Sequence, residues 1–417
     1  MEQTGRPAQF DPKARTVVVI AGAAARGAYE AGALARVLPA LFGNDLSNVV
    51  LLGTSAGAIN AALWGARLAG NVTSQDVGEQ VKGVWEGITQ RSVFVTSSAA
   101  FALGKLFVRG LWSFVVECDC DWLATYRLLN TDPLKDTAQS ALDVTALKRN
   151  IDEGRLLGVG AVATSCPNDG SGGRSRVFLY GQPALMQTRG LAQSPAGSSI
   201  DYVPLADGLK HEHVLASAAI PAAFPPVHIN EPAEYAGWYT DGGVRLNTPI
   251  RPAIDMDASQ LIVISSLATE YPEPRTKDRQ PHILDVSAQA IHTVLGDGTI
   301  EDLRSLQRVN DMVLQAQGGG VTLKASEDRD YKVISFLAIS PENGQLSALA
   351  DEQLENARRS SLDYRALSAV LSSAGPRDGG NELAGYLLFY PPYSRAQFDL
   401  AASDVDRKGA LQDAFTM

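Results

Sequence analysis

The order of apolar and polar residues along the chain predicts strands and helices in alternation. Apolar runs of strand length occupy residues 15–21, 48–52, 156–164 and 260–266, and runs of this kind indicate buried strands. Residues 176–180 are predicted to pair with the third run across a glycine-rich loop. Helix-forming composition follows the second run, and apolar residues recur at helical spacing after the first. Those periodic residues are Ala28, Ala31, Leu34, Val37, Leu38 and Leu41.

Helical patterns dominate beyond a charged, proline-bearing stretch at residues 271–280, which is predicted to end the first structural unit. The sequence therefore predicts an α/β fold, with a three-layer α/β/α core and a mainly helical C-terminal extension. Three parts are predicted: a flexible N-terminal tail at 1–14, a core domain at 15–270, and a mainly helical region at 271–417 packed on the core. In the last part, helices are predicted near 283–317, 351–373 and 394–415, and a strand at 331–338. Loops are predicted at 183–199, 317–320 and 374–381.

Ser55 is the first candidate for chemistry, because it lies in a turn between a predicted strand and a predicted helix. The local sequence is Gly53-Thr54-Ser55-Ala56-Gly57. Small residues on both sides let neighbouring backbones approach, and the strand-turn-helix context holds a serine hydroxyl exposed and strained. The helix N-terminus behind the turn favours negative charge at the same place. These features indicate a nucleophile, whereas the motif without this context is often only a turn.

The histidines are poor candidates for the base. A Ser-His-Asp hydrolase of the α/β class carries its serine after several strands and its histidine late in the chain, but only one predicted strand, at residues 15–21, precedes the strand that leads into Ser55. The histidines lie in polar, proline-flanked or helical sequence and are predicted to be surface or structural residues. They are His211, His213, His228, His282 and His292.

Asp241 is the predicted partner of the serine. It lies in Gly237-Trp238-Tyr239-Thr240-Asp241-Gly242-Gly243, a short strand that enters a glycine turn. Glycines let the backbone fold tightly around the carboxylate and leave space beside it. Pro249 limits strand pairing after the turn, which argues against a simple hairpin. A carboxylate placed in this way can deprotonate a serine when the pair is sequestered.

The loop Gly22-Ala23-Ala24-Ala25-Arg26-Gly27 follows the first predicted strand and precedes a helix. A loop of small residues in this place presents unpaired backbone N–H groups, which suit a tetrahedral oxyanion. A Walker phosphate loop is disfavoured because Ala28 and Tyr29 stand where Lys-Ser or Lys-Thr is required. A dinucleotide loop is disfavoured because Ala24 replaces its middle glycine.

Together these segments resemble the patatin-like phospholipases and acyl hydrolases over residues 15–265. The resemblance is carried by the loop at 22–27, the turn at 53–57, segment 216–226 and the turn at 241–243, with a further similarity at 386–389. It implies that Ser55 and Asp241 form a catalytic dyad. The implied oxyanion loop is Gly22, Ala23, Ala24 and Gly27, and the implied supporting residues are Arg26, Gly53, Gly57, Gly242 and Gly243.

The sequence departs from this family at Ala23 and Ala24, where the family usually has glycines. Alanine still carries an N–H, so donation persists at ordinary backbone angles and is impaired if the positions require positive φ. We expect ordinary angles at both. Two roles for Arg26 stay open, contact with a lipid phosphate and structural pairing with a carboxylate, and the second is favoured.

Composition and net charge limit the classes of molecule that this protein is expected to bind. The chain has 417 residues, 45% hydrophobic content and a net charge of −10, which disfavours nucleic acid and a polybasic attachment to anionic lipid. Residues 1–14 lack the apolar stretch of a signal peptide, and no apolar run is long enough to span a bilayer. Cys118, Cys120 and Cys166 give neither a disulfide framework nor metal-ligand spacing. We therefore expect a cytoplasmic protein that needs no metal or other cofactor.

Residues 93–122 are the candidate membrane contact, since they hold many aromatic side chains and few charges. Two interpretations stay open, an interfacial segment or acyl-chain lid, and a helical pair buried against the core. Either is compatible with a segment that roofs the site.

The resemblance implies a lipid acyl hydrolase of the phospholipase A type, and the candidate residues predict that it cleaves carboxylic esters through Ser55, Asp241 and an acyl-enzyme. Its expected partners are a phospholipid or another acyl-ester lipid and, transiently, a membrane surface. The alternative is a catalytically weak patatin-like protein that binds lipid or regulates, in which the changed loop at residues 22–27 has closed the oxyanion hole.

Overall fold

The computed structural model of the chain describes residues 7–93, 132–167, 171–192, 198–221, 224–270, 286, 289–290, 292–326, 329–372 and 377–417. Several sequence predictions fall outside these ranges. The aromatic segment at 93–122 is described only at Val93, and Cys118, Cys120 and the charged stretch at 271–280 lie outside.

Strands and helices alternate through the described ranges, as predicted. The strands are β1 (Thr16–Ile20), β2 (Leu46–Thr54), β3 (Leu156–Ser165), β4 (Ser175–Gly181), β5 (Ile200–Pro204), β6 (Val227–Ile229), β7 (Gly237–Asp241), β8 (Gln260–Ile264), β9 (Lys324–Ser326), β10 (Arg329–Asp330) and β11 (Ser335–Ile339). The α-helices are α1 (Gly27–Phe42), α2 (Ala56–Arg67), α3 (Ser74–Gly87), α4 (Gln90–Val93), α5 (Asp132–Ala141), α6 (Val144–Asp152), α7 (Pro183–Met186), α8 (Arg189–Ala192), α9 (His211–Ser217), α10 (Ile250–Asp255), α11 (Gly298–Gly318), α12 (Gln345–Ser360), α13 (Leu362–Ser372), α14 (Arg377–Leu387) and α15 (Pro391–Asp406). A π-helical turn, Thr293–Asp297, precedes α11.

A single mostly parallel sheet organises the core. Within the described ranges nine strands form it, in the order β11-β8-β1-β2-β3-β4-β5, with β7 added beside β3 and β6 beside β7. The five strands from β11 to β3 run parallel to their neighbours, so the carboxyl ends of β1 and β2 lie at the same edge. Ligand and active sites of open α/β sheets lie at that edge.

Helices cover both faces of the sheet, because the central strands are buried on both sides. Val18 and Ile20 of β1 point to the face covered by α1, α2 and α15. Val17 and Val19 point to the face covered by α10 and α11. Each buried Val, Leu or Ile contributes about 1.5–3 kcal/mol relative to an exposed one, so both sets of side chains stabilise the packing of helices on the sheet. The predicted three-layer α/β/α fold class is confirmed.

The C-terminal part is mainly helical, as predicted, and it is joined closely to the sheet. Its strand β11 pairs with β8 at one edge of the sheet, while α12 to α15 share a separate apolar cluster. Helix α15 packs along α1. The boundary predicted at residue 270 stays a prediction, and the strand predicted at 331–338 is shifted to Ser335–Ile339.

Several segments differ from the sequence predictions. Helix α14 begins at Arg377, inside the predicted loop at 374–381, and α15 ends at Asp406 although the predicted helix runs to 415. The predicted loop at 183–199 contains the short helices α7 and α8, because Pro183 is well suited to the first turn of a helix. Residues 7–10, placed in the predicted flexible tail, lie against the C-terminal end. The N–H of Ala8 donates to the carbonyl of Phe415, and the ring of Phe10 packs 5.3 Å from that of Phe42.

Candidate active site

Ser55 occupies the sharp turn between β2 and α2, with φ 54 and ψ −124. A non-glycine residue in this region stores strain of about 1–3 kcal/mol, which persists only where the surroundings impose it. The flanking glycines are required by close packing. A Cβ atom on Gly53 would lie 2.2 Å from the backbone of Gly57, and one on Gly57 would lie 2.4 Å from the carbonyl oxygen of Ile20. The predicted turn is therefore present.

Strand β3 brings Asp241 next to this turn. In the register of the sheet, Val162 of β3 lies opposite Thr54 of β2, and the next residue, Ala163, lies opposite Asp241 of β7. Ser55 follows Thr54 at the end of β2, and Asp241 is the last residue of β7. The two residues therefore lie at the same edge of the sheet. The structure thus brings together the two residues that the sequence singles out.

The carboxyl group of Asp241 is buried, and its pKa lies near neutral pH. Burial raises its pKa to about 7, against the opposing effects of the Ser55 hydroxyl and the Gly243 amide. The Gly243 N–H donates to Oδ1 over 2.7 Å. The other oxygen, Oδ2, has no aligned hydrogen-bond partner among the described residues, so the Ser55 hydroxyl acts on this carboxyl without a well-formed hydrogen bond. Such bonds are often long before substrate binds.

The loop at residues 22–27 lies beside Ser55, since a Cβ atom on Gly22 would come within 3.1 Å of the Ser55 Cβ. Ala23 has an ordinary φ of −144, but Ala24 has a positive φ of 49. The expectation of ordinary angles therefore holds for Ala23 and is wrong for Ala24. The surrounding contacts hold Ala24 in a conformation that suits the glycine usual at this position.

The backbone N–H groups of this loop differ in whether they have a hydrogen-bond acceptor. Gly22 donates its N–H to the carbonyl of Asn247 over 3.2 Å, and Gly27 donates to the carbonyl of Ala24. The N–H groups of Ala23 and Ala24 have no acceptor within the described parts of the chain. Of the predicted oxyanion residues, the two alanines are therefore the ones with free donors.

Buried side chains from distant helices fix the loop on both sides. Gln397 of α15 donates to the carbonyl of Ala25 over 3.2 Å and accepts the N–H of Tyr29 over the same distance. Asn60 of α2 donates to the carbonyl of Gly27 over 2.9 Å. These bonds fix the C-terminal half of the loop, and the bond from Gly22 to Asn247 fixes its start.

A family model described as patatin-like phospholipase matches residues 18–254, which is more than half of the chain. The chain belongs to the patatin-like phospholipase family. Family membership indicates a lipid acyl hydrolase. No curated protein matches the sequence significantly. Among solved structures, the crystal structure of VipD from Legionella pneumophila is similar at 12% identity and a TM-score of 0.33, covering 90% of this chain and 69% of that one.

Arg26 of the patatin-like protein pairs with a carboxylate, as favoured from the sequence. Its Nη2 lies 2.7 Å from Oε1 of Glu382 in α14, and its guanidinium stacks 4.0 Å from the ring centroid of Tyr386. Burial acts to raise the pKa of Glu382, but Arg26 and His292 outweigh it and hold that pKa at about 2. Burial acts to lower the pKa of Arg26, but Tyr386 and Glu382 leave it raised. Both groups are charged at neutral pH.

The described histidines have structural contacts. His292 pairs with Glu382 over 2.7 Å. His213 stacks 4.8 Å from the ring of Phe178, and burial lowers its pKa to about 4. Within the described ranges no histidine hydrogen-bonds with Ser55 or Asp241.

A cavity of about 1050 Å³ lies next to the site without being lined by Ser55 or Asp241. The residues that line it include Leu215, Ala218, Ala219, Phe224 and Trp238. The carbonyl of Ala219 accepts the N–H of Asp241 over 2.9 Å, so one lining residue of the cavity contacts the backbone of the aspartate.

The described residues contain no group of three or more His, Cys, Asp or Glu side chains that could hold a metal ion. Nor does this part of the chain contain a helix that is both long and apolar enough to cross a bilayer. Cys166 is a free thiol.

Sequence reasoning missed the residues that support the Ser55 turn and the loop at residues 22–27. Ser217 accepts the N–H of Ser55, and Asn247 contacts Gly22 through its backbone and side chain. Glu382 and Gln397 hold the loop at 22–27 from the C-terminal part. Ser217 lies within segment 216–226, and Asn247 comes shortly after the turn at 241–243. Their place in or near the segments that carry the family resemblance is the sequence feature that could have identified them. Glu382 and Gln397 gave no comparable signal.

Proposed function

We propose that this patatin-like protein hydrolyses the carboxylic esters of lipids through a Ser55–Asp241 dyad and an acyl-enzyme, as a phospholipase of the A type does. The observation that carries the proposal is the meeting of a strained Ser55 with a buried Asp241 whose pKa is raised to about 7. A base with a pKa near the working pH combines a useful deprotonated fraction with adequate basicity.

In the proposed first step, Asp241 takes the proton of the Ser55 hydroxyl as Oγ attacks the ester carbonyl. The free N–H groups of Ala23 and Ala24 stabilise the oxyanion, and the N-terminus of α2 adds a favourable field. The bond to the leaving alcohol breaks and Asp241 returns the proton to it. Water then attacks the acyl-enzyme, Asp241 takes its proton, and the fatty acid leaves as Ser55 regains its hydrogen.

The expected substrate is a phospholipid or another acyl-ester lipid that the protein meets at a membrane surface. Family membership supports the acyl-ester class. The dyad and backbone donors supply a nucleophile, a base and charge stabilisation from the chain itself, and water is the only other reactant besides the ester.

A weakly catalytic lipid-binding or regulatory protein is the second candidate, and the positive φ of Ala24 is the observation that favours it. An alanine strained in this way can shift the donor geometry, and misplacing one donor costs about 10²–10³ in rate. The free N–H of Ala24 and the bonds at both ends of the loop favour the hydrolase.

Intact-mass analysis after exposure to a fluorophosphonate tests the proposal. A working nucleophile and oxyanion hole give one adduct per chain on the wild type, located at Ser55 by peptide mapping. Ser55→Ala is expected to give none, and Asp241→Asn to label at a greatly reduced rate. A wild type that stays unlabelled, while folded, would support the regulatory candidate.

A further inference from the structure

Ser217 connects the candidate nucleophile to the sheet. It is the last residue of α9 and is fully buried. Its Oγ accepts the N–H of Ser55 over 2.9 Å and donates to the carbonyl of Val162 over 2.5 Å. A hydroxyl offers one donor and two acceptor positions, and here the donor is used by β3 and an acceptor by Ser55.

The same short segment binds the candidate base. Two residues after Ser217, the carbonyl of Ala219 accepts the N–H of Asp241 over 2.9 Å and the hydroxyl of Thr240 over 2.7 Å. The segment from Ser217 to Ala219 is therefore hydrogen-bonded to both members of the proposed dyad. Neither member is held by the other through an aligned bond, since Asp241 Oδ2 has no such partner among the described residues.

We propose that Ser217 is a positioning residue, which holds Ser55 in its strained backbone conformation and, together with the Ala219 carbonyl, sets the distance and angle between the Ser55 hydroxyl and the Asp241 carboxyl. This inference rests on the proposed function, because it concerns the geometry of the same dyad. It also assigns the N–H of Ser55 to Ser217, which removes that group from the oxyanion donors.

The physical reason is the sign of the Ser55 φ angle. The strained conformation persists only while neighbouring bonds impose it. The peptide N–H of Ser55 is one of the groups whose direction depends on φ, so a fixed acceptor at Ser217 Oγ opposes relaxation of the turn. Without it the hydroxyl can swing away from Asp241, and an error of about 1 Å in a reacting group costs up to about 10²-fold in rate.

The test compares Ser217→Ala with Ser265→Ala. Ser265 is also buried, and its Oγ accepts one backbone N–H, that of Leu267, over 3.1 Å. Both variants thus lose one buried serine hydroxyl, but only the first touches the dyad. Hydrolysis of a soluble p-nitrophenyl ester, the rate of fluorophosphonate labelling and the melting temperature are measured for each.

For Ser217→Ala we expect kcat to fall about 10- to 100-fold with KM nearly unchanged, and labelling to slow by a similar factor. The midpoint of the pH profile of kcat/KM should move upward, because the Ser55 hydroxyl lowers the pKa of Asp241 and would lie farther away. Ser217→Cys, with a weaker acceptor and donor, should be intermediate. Ser265→Ala should keep the wild-type kcat and pH profile.

Wild-type kcat and labelling in Ser217→Ala, within about twofold, with only a lower melting temperature, would overturn the proposal and leave Ser217 as a core hydrogen bond. Loss of the fold in both Ser217 variants would assign the residue to the scaffold and overturn it as well. Failure of the proposed function is seen separately, in a folded wild type that neither hydrolyses the ester nor labels at Ser55.

Discussion

Arg26 and Glu382 form a buried ion pair, with 2.7 Å between Nη2 and Oε1, although 356 residues separate them in the chain. Arg26 belongs to the loop that lies beside Ser55, and Glu382 belongs to α14. The C-terminal helices therefore hold part of the candidate active site in place. The mainly helical C-terminal region therefore contributes contacts to the proposed site.

Removal of the Glu382 charge should destabilise the protein strongly. Glu382→Gln leaves Arg26 buried without its counter-ion, which typically costs about 3–5 kcal/mol. Asp406→Asn is the matched control, because it removes an exposed pair between Arg36 of α1 and Asp406 of α15, and exposed pairs contribute about 0–1 kcal/mol. Urea unfolding measures both. Equal losses in the two variants would contradict a special role for the buried pair.

The proposed dyad should behave as one unit. Ser55→Ala and Asp241→Asn should each reduce ester hydrolysis by about 10³-fold or more while the fold persists, and the double variant should be little worse than either single one. Steady-state rates and circular dichroism measure this. The assignment is wrong if the double variant is far worse, or if replacing His213 or His292 reduces the rate as much as Asp241→Asn.

Hydrolysis should depend on the ionisation of Asp241. The aspartate must be deprotonated to act as base, and burial raises its pKa to about 7. On a soluble short-chain ester, kcat/KM should therefore rise through pH 7 and level off above it. The rate of fluorophosphonate labelling at Ser55 should follow the same curve. A profile already flat from pH 5 upward would contradict this assignment of the base.

The two alanines of the loop should respond differently to glycine. Ala24→Gly relieves a left-handed alanine, which is worth about 1–2 kcal/mol, and this outweighs the added unfolded-state entropy of about 0.4–1 kcal/mol. Ala23→Gly has only the entropy cost, since its φ is already ordinary. Thermal unfolding should show opposite signs, with hydrolysis little changed in either variant. A hundredfold activation by the double glycine variant would instead support the regulatory candidate.

Glu30 should make stability fall as pH rises. It is fully buried, and burial raises its pKa well above the ordinary value of 4.5 while the Ser266 amide lowers it less; neither oxygen has an aligned partner among the described residues. The folded state thus keeps a proton that the unfolded state releases, so this contribution is complete below pH 4.5 and is lost as pH climbs through the folded pKa.

Glu30→Gln removes that proton linkage and should raise the melting temperature more at pH 8 than at pH 5. Glu79→Gln, at an exposed position of α3, is the control and should give little difference at either pH. An equal effect of Glu30→Gln at both pH values would mean that Glu30 does not hold a proton in the folded protein.

The sequence alone determined the local elements. Apolar runs are sufficient to predict β1, β2, β3 and β8, because strands buried on both faces must be apolar throughout. The turns at Ser55 and Asp241 were also predictable, since close backbone contacts there demand small residues within a few positions. These are short-range constraints, and short-range constraints are visible in the order of residues.

The tertiary structure decided which distant groups meet. Consecutive residues of β3 face Thr54 and Asp241, and this register is a property of the assembled sheet. Ser217 and Glu382 find Ser55 and Arg26 only when α9 and α14 have packed. The positive φ of Ala24 also runs against its residue type, because contacts at both ends of the loop outweigh local preference. Long-range contacts decide which residues meet and which strained backbone angles are imposed, because the energies of these contacts depend on the whole fold.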